Sequence, residues 1–328
     1  MTEDSREHTR APYGATSTTI DLDGPVHAWV QAARATGGEG EPTILCLHGL
    51  GGSALNFGPI AALLAARHRV VALDLLGHGR SRAGRPGLSG PAAVEEQLDL
   101  IADYMTTQIR EPVVLVGHSL GGVLAALHTL ANPQTVERLV LLAPPVPRRT
   151  DTERDRVLAA KRLLLGTPVV RGSVDRALRR TPPEQLIARQ VAEATPHGHR
   201  VPADALAASV VELADRARAH DAAAARRTQW NAILGTIDLL ARPRPWRDRL
   251  AEVAVPTLWL QGDDDLKVPR HDAVRFAGSV KARAAAPGQW ELRTRPGVGH
   301  LPHLEDALWT ASVLLDWLHP APGKGETR

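Results

Sequence analysis

Residues 113–128 read VVLVGHSLGGVLAALH. Four apolar residues, enough to begin a buried strand, run into Gly117-His118-Ser119-Leu120-Gly121, and beyond it apolar residues recur at helical spacing as far as His128. A serine between strand and helix, with glycine two places to either side, fits a sharp turn. The backbone at its apex is strained, and a Cβ at either flanking position would collide with a neighbouring strand or helix. The helix that follows directs its unsatisfied amides and the positive end of its dipole into the same space. The stretch therefore reads as a turn that presents Ser119 as a nucleophile. An unactivated hydroxyl is a poor nucleophile, so a base and a group to orient it are expected elsewhere.

Histidine is the natural base, and the chain has 14. His300 stands out, because Arg295-Pro-Gly-Val-Gly-His300 follows the last apolar run, with Gly297 and Gly299 loosening the loop before the final helix. That places it at the edge of an open sheet where ligands bind. His303, the next candidate, is expected to cap the final helix. His118 adjoins the serine, but adjacent side chains on a sharp turn diverge, so it is expected to line or support a pocket. For the acid, the run Thr257 to Gln261 leads into Gly262-Asp263-Asp264-Asp265-Leu-Lys-Val-Pro269. The residues alone leave all three aspartates open. The run ending at Ala143 meets Pro144-Pro145 and no acid before Asp151, so the acid belongs after the later strand.

Composition sets the outer limits. A chain of 328 residues, 43% hydrophobic, can bury one large α/β domain with an insertion. A net charge of +3 gives no case for a nucleic-acid partner. Cys46 is the only cysteine, which excludes an intrachain disulfide and a cysteine-rich zinc site; inside Ile44-Leu45-Cys46-Leu47 it reads as a small buried hydrophobe. The first 19 residues carry no apolar stretch of signal-peptide length, and no run approaches the roughly 20 apolar residues that span a bilayer. A cytoplasmic protein without a membrane span is expected.

Short apolar runs alternate with helical patterns, which favours a mostly parallel sheet covered on both faces. Strands are expected near Thr19 to Asp23, Val26 to Gln31, Thr43 to Leu47, Val70 to Asp74, Val113 to Gly117, Leu139 to Ala143, Thr257 to Gln261 and Glu291 to Arg295. The clearest helices are Ile60 to Arg67, Pro91 to Ile109, Leu120 to Ala131, His271 to Val280 and His303 to Leu318. The gap from Ala143 to Thr257 is too long for one crossover. Prolines punctuate both of its ends, and pairs such as Val157-Leu158, Leu163-Leu164-Leu165 and Ile233-Leu234 recur at helical spacing, so it reads as a mainly helical insertion. The division expected is a flexible segment 1–18, a core of 19–146 and 250–320, a helical unit 147–249 and a flexible tail 321–328.

Nucleophile, then acid, then base is the chain order of one large group of enzymes. The motifs His48-Gly49-Leu50-Gly51-Gly52-Ser53 with Asn56-Phe57, Asp74-Leu-Leu-Gly77-His78-Gly79-Arg-Ser81, Gly117 to Gly122, Gly262 to Pro269 and Gly299-His300 jointly resemble the α/β-hydrolase superfamily, from about Thr19 to His319. The resemblance implies an eight-stranded, mostly parallel sheet flanked by helices, with the insertion as a helical cap or lid. It implies Ser119 as nucleophile, His300 as base and Asp265 as acid, since Asp-x-x-Val-Pro is how the family's acid usually reads. The oxyanion would be held by the backbone amides of Leu50 and Leu120. His48 is then structural, and His48, Gly49, Asn56, His118 and Trp230 are candidates for the pocket, with bonding to nearby loop backbone the favoured role of Asn56. Asp74 and Ser81 are expected to tie down their own turn.

The activity implied is hydrolysis of a small-molecule carboxylic ester, or related acyl substrate, through an acyl-enzyme, with no cofactor and no metal. Carbon–carbon bond hydrolysis of vinylogous diketones, acyl transfer, thioester hydrolysis and perhydrolysis use the same triad. A ligand-binding homologue that retains the triad without turnover is the reading from a different class.

Overall fold

A chain whose apolar runs are each four to seven residues long can bury them only by pairing them, and eight strands do so in one sheet. The computed structural model describes residues 12–34, 41–147 and 167–320. The strands are β1 Thr16–Asp21, β2 Pro25–Gln31, β3 Ile44–Leu47, β4 Val70–Leu73, β5 Val113–His118, β6 Val136–Leu142, β7 Thr257–Gly262 and β8 Trp290–Arg295, in the order β1-β2-β4-β3-β5-β6-β7-β8. β1 and β2 form an antiparallel hairpin, β2 runs antiparallel to β4, and every pairing from β4 to β8 is parallel.

The inner strands are covered on both faces, so they read as unbroken apolar runs and their alternation shows only in three dimensions. One face carries Leu45, Leu47, Leu115, Leu139, Leu141 and Trp259 against helices α2 (Pro91–Tyr104) and α3 (Leu120–Ala131). The other carries Ile44, Cys46, Val114, Val116, Val140 and Leu260 against α1 (Gly58–Leu64) and the last helix. Cys46 is the buried hydrophobe expected from its run, and burial pushes its thiol pKa up, away from reactivity. Each fully buried leucine contributes about 1.5–3 kcal/mol, so the sheet is a rigid base for the loops at its ends.

Several boundaries differ from those expected. β1 begins at Thr16, inside the segment expected to be flexible, because the polar run Thr16–Thr19 pairs with His27–Val30 at the edge of the sheet. It ends at Asp21, and Asp23 and Gly24, both at positive φ, make the turn. β6 starts three residues early, where Glu137 and Arg138 mask the apolar pattern, and Arg138 lies over the Trp317 ring at 5.2 Å. The helix expected from Pro91 to Ile109 is α-helical only to Tyr104 and closes with a π turn, Met105–Ile109. The final helix is two pieces. Asp306 leaves helical geometry (φ −144°) and caps the second by accepting the Trp309 N–H at 3.1 Å.

Between β6 and β7 lie α4 Pro168–Arg180, α5 Pro183–Ala194, α6 Ala203–Arg218, α7 Ala222–Leu240 and α8 Pro243–Ala251. α4, α5 and α8 each open with proline, where the missing N–H costs nothing. α7 docks on the core through Thr228, whose Oγ1 accepts the Gly84 N–H, and Gln229, whose Nε2 donates to the Gly77 carbonyl at 2.7 Å. α8 crosses position 250, and its Trp246 and Leu250 are buried in the main core. The remaining α-helices among the described residues are α9 Arg270–Lys281, α10 Pro302–Glu305 and α11 Ala307–Leu318. The apolar pairs expected at Val157-Leu158 and Leu163–Leu165, the first 11 residues and the tail from 321 lie outside the described residues.

Candidate active site

β5 delivers the chain at its carboxyl end into a turn whose apex, Ser119, has φ 51° and ψ −117°. A side chain in that region costs on the order of 1–3 kcal/mol, and the surroundings enforce it. The Ser119 N–H donates to the Leu142 carbonyl at 2.9 Å, and the Ser119 carbonyl accepts the Gly122 N–H at 2.9 Å. The flanking glycines are sterically required: a Cβ on Gly117 would lie 2.3 Å from the Gly121 carbonyl oxygen, and one on Gly121 would lie 2.1 Å from that of Leu47. Leu120 is the first residue of α3, so its N–H has no acceptor within the helix.

His300, in the loop after β8, turns its ring toward this apex. Its Nε2 is 3.0 Å from Ser119 Oγ, and its Nδ1 is 2.8 Å from Asp265 Oδ2. A carboxylate oxygen accepts, so Nδ1 carries the proton and the Nε2 lone pair faces the serine hydroxyl. Asp265 is held by the turn it begins: Oδ1 accepts the N–H groups of Lys267 at 2.7 Å and Val268 at 2.8 Å, while Oδ2 also accepts from Gln261 Nε2 at 2.7 Å. The three adjacent aspartates have different partners. Asp263 pairs with Arg270 at 2.9 Å, and Asp264 accepts from His197 Nε2 at 2.8 Å.

Around this line are groups that fix the loops. The His118 Nε2 donates to the His300 carbonyl at 2.9 Å, a supporting rather than a lining role. Burial, and after it the neighbouring His303 and His300, hold His118 well below the ordinary histidine range, so its ring is neutral. Gly49 lies against both: a Cβ there would be 2.8 Å from His118 Nδ1 and 3.1 Å from Ser119 Cβ. His48 is buried, donates from Nδ1 to the Gly49 carbonyl at 2.8 Å, and accepts the Leu75 N–H on Nε2 at 3.1 Å. It braces the loop. The Asn56 side-chain oxygen accepts the Ser53 N–H at 2.9 Å, a bond within its own loop. Leu50 is 46% exposed at the tip of that loop, and Trp230 is half-buried on α7.

His303 does not cap a helix. Its ring is buried, stacks on Phe57 with centroids 5.1 Å apart, and approaches the His118 ring at 4.4 Å, with neither nitrogen hydrogen-bonded. Burial, reinforced by His300, pushes it down to about 3. Asp74 ties its turn: it accepts from Ala54 N–H at 2.8 Å, Arg80 N–H at 3.1 Å and His27 Nδ1 at 2.7 Å, and Ser81 Oγ donates to its carbonyl.

Two positions escape the sequence reading. Glu305, buried at the end of α10, accepts the N–H of Gly299 at 2.7 Å, the N–H of Leu301 at 2.9 Å and the hydroxyl of Thr195 at 2.7 Å, bracketing His300 on both sides. In sequence it is an ordinary first-turn acid. Ala194, the last residue of α5, offers its carbonyl to the N–H of His300 at 3.2 Å and of Leu266 at 3.3 Å. A depression of about 620 Å³ is lined by Asp265, Leu266, His197 and Arg270, among others, but not by Ser119. It lies beside Asp265 and is not where a group bonded to Ser119 would sit.

Comparisons agree with this architecture. A family model described as the alpha/beta hydrolase family matches residues 44–313. An uncharacterized protein of Mycobacterium tuberculosis is 32% identical over 290 residues, covering 86% of this chain and 76% of that protein. An (E)-2-((N-methylformamido)methylene)succinate hydrolase of Acinetobacter baylyi is 32% identical over 121 residues, covering 37% of this chain and 44% of its own. Among solved structures, a putative lipase of Acinetobacter baumannii superposes with a TM-score of 0.67 at 20% identity, covering 93% of this chain and 91% of its own.

Proposed function

The chain belongs to the α/β-hydrolase family, and from that premise we propose that it is a serine hydrolase that cleaves a carboxylic ester through an acyl-enzyme. The observation that carries the reading is the His300 ring between Ser119 Oγ at 3.0 Å and Asp265 Oδ2 at 2.8 Å. Ser119 Oγ attacks the ester carbonyl carbon as its proton passes to His300 Nε2. The carbonyl oxygen becomes an oxyanion, held by the amides of Leu50 and Leu120. Asp265 keeps the imidazole in the Nδ1–H form and stabilises the imidazolium without taking its proton. The intermediate collapses as Nε2–H protonates the departing alkoxide. Water then attacks the acyl carbon as its proton passes to Nε2; the second tetrahedral intermediate collapses with cleavage of the bond to Ser119 Oγ, which takes the proton from Nε2–H, and the carboxylic acid leaves.

The helices α4 to α7, within residues 168–240, are assigned as the cap over this site, α8 being packed into the main core. The contact of the Ala194 carbonyl with both the His300 and Leu266 amides supports that assignment. The test is turnover of p-nitrophenyl acetate and butyrate by the wild type and by Ser119→Ala. Turnover is expected to fall by at least about 10³-fold in the variant. Hydrolysis that survives the substitution, or a folded wild type that turns over neither ester, would overturn the proposal.

A further inference from the structure

The amino ends of the parallel strands, opposite the edge that carries Ser119, hold a second group of chemically competent side chains. Glu41 lies three residues before β3, His68 two residues before β4, and His319 immediately after α11. His68 is fully buried, and its Nδ1 donates to the Pro42 carbonyl at 3.0 Å. A carbonyl can only accept, so the proton is on Nδ1 and the Nε2 lone pair points inward. There it meets His319 Nε2 at 2.9 Å, and Glu41 Oε2 is 3.6 Å from the same His319 nitrogen. The three ligand atoms all lie within 4.8 Å of one another. The other Glu41 oxygen accepts from Arg67 Nη2 at 2.8 Å.

We propose that Glu41, His68 and His319 form a divalent-metal site of the zinc type, which clamps the end of the last helix to the start of the central sheet. Two imidazole nitrogens and one carboxylate oxygen suit zinc and its neighbours rather than calcium or magnesium, which take oxygen. Bonds of about 2.0–2.1 Å in a tetrahedron set the ligands about 3.3 Å apart, between the 2.9 and 3.6 Å separations seen here. The third separation, from His68 Nε2 to the Glu41 carboxylate, is at most 4.8 Å, so closing the shell takes a side-chain movement of no more than about 1.5 Å. Groups that orient the ligands are in place: the Pro42 carbonyl fixes the His68 ring, and Arg67 holds one Glu41 oxygen, leaving the other for monodentate ligation. The fourth position goes to water. No bond of the reaction proposed for Ser119 passes through this site, so its role is cohesion of the fold.

The test uses the full chain, stripped with EDTA and desalted, then titrated with zinc chloride at pH 7.5 and melted with and without it. One equivalent is expected to bind, with Tm rising by about 4 °C when free zinc exceeds Kd a hundredfold. Cobalt(II) in place of zinc should give the visible absorption of a tetrahedral site. His319→Ala, at a partly exposed helix end, should abolish uptake, the Tm rise and the cobalt spectrum, and Glu41→Gln, which replaces the anionic ligand with a neutral amide, should weaken uptake by more than about 10-fold, the least that loss of even a group outside the ligand shell costs. A wild type with no zinc-dependent change in Tm and no tetrahedral cobalt spectrum overturns the proposal, as does uptake that both variants retain. The two rings then share only a proton.

Discussion

Replacing Glu305 by glutamine asks how tightly the loop around His300 must be held. The carboxylate accepts the amide N–H on each side of His300 and the Thr195 hydroxyl, and the side chain is 6% exposed. Glutamine keeps the shape but turns one acceptor oxygen into a donor. With the NH2 on one side it faces the Gly299 N–H and Thr195; flipped, it faces the Leu301 N–H. One flank of the loop loses its acceptor either way. A hydrogen bond to a charged partner is worth about 1.5–3 kcal/mol. Displacing a catalytic group by about 1 Å costs roughly 10²-fold, or about 2.7 kcal/mol, so the lost bond is large enough to permit that displacement.

We therefore expect Glu305→Gln to lower kcat on p-nitrophenyl butyrate about 10- to 100-fold, with KM changed less than about 3-fold. The rate at which a fluorophosphonate labels Ser119 should fall in parallel. Thr195→Val removes one of the three bonds and leaves both backbone amides paired, so its effect should be about 3-fold or less. Thermal melts at the assay temperature separate this effect from unfolding. A fully folded Glu305→Gln protein with wild-type kcat would refute the reasoning, because Asp265 and the Ala194 carbonyl would then suffice to position the ring.

The adjacent aspartates give a second test. Asp265→Asn should lower kcat about 10³- to 10⁴-fold, whereas Asp263→Asn and Asp264→Asn, which lose only partly exposed pairs with Arg270 and His197, should stay within about 3-fold. Comparable losses in all three would remove Asp265 from its role. Glu212 on α6 gives a third: buried, with Oε1 unpartnered, its carboxyl is pushed up to about 8, by burial first and by Asp74 second. The folded chain then keeps a proton that the unfolded chain releases near pH 4.3, so stability declines as pH rises from that value to about 8 and levels off above it. Glu212→Gln should raise Tm by several degrees at pH 8.5 and leave it nearly unchanged at pH 4. An equal shift at both would exclude the protonation account.

What the sequence makes legible follows from how local its causes are. The turn at Ser119 can be read because its glycines are imposed by atoms within a few residues and by the one strand alongside. The inner strands can be read because burial on both faces leaves only apolar residues to choose from. β1 and the start of β6 are edge or mixed segments whose hydrogen bonds, not their hydropathy, make them strands. His303 has the position of a cap in sequence, but the ring space between Phe57 and His118 exists only after three elements pack. The residues alone leave Asp263, Asp264 and Asp265 equivalent. What separates them is the turn that gives Asp265 the amides of Lys267 and Val268.

The same distinction explains why Glu305 and Ala194 were invisible. Both act on the loop of His300 through its backbone, and backbone atoms carry no signature of who will bond them. Ala194 ends α5, so its carbonyl is one of the unsatisfied acceptors that every helix leaves at its last turn. Here it is spent on the amides of His300 and Leu266, one in each of the two loops that carry His300 and Asp265. Lifting α5 would strip both amides of their acceptor and take Thr195 from Glu305, a loss of about 1 kcal/mol net for each bond and more where the group stays buried. The end of α5 is thus mechanically part of the frame around the hydrogen-bonded line Ser119–His300–Asp265.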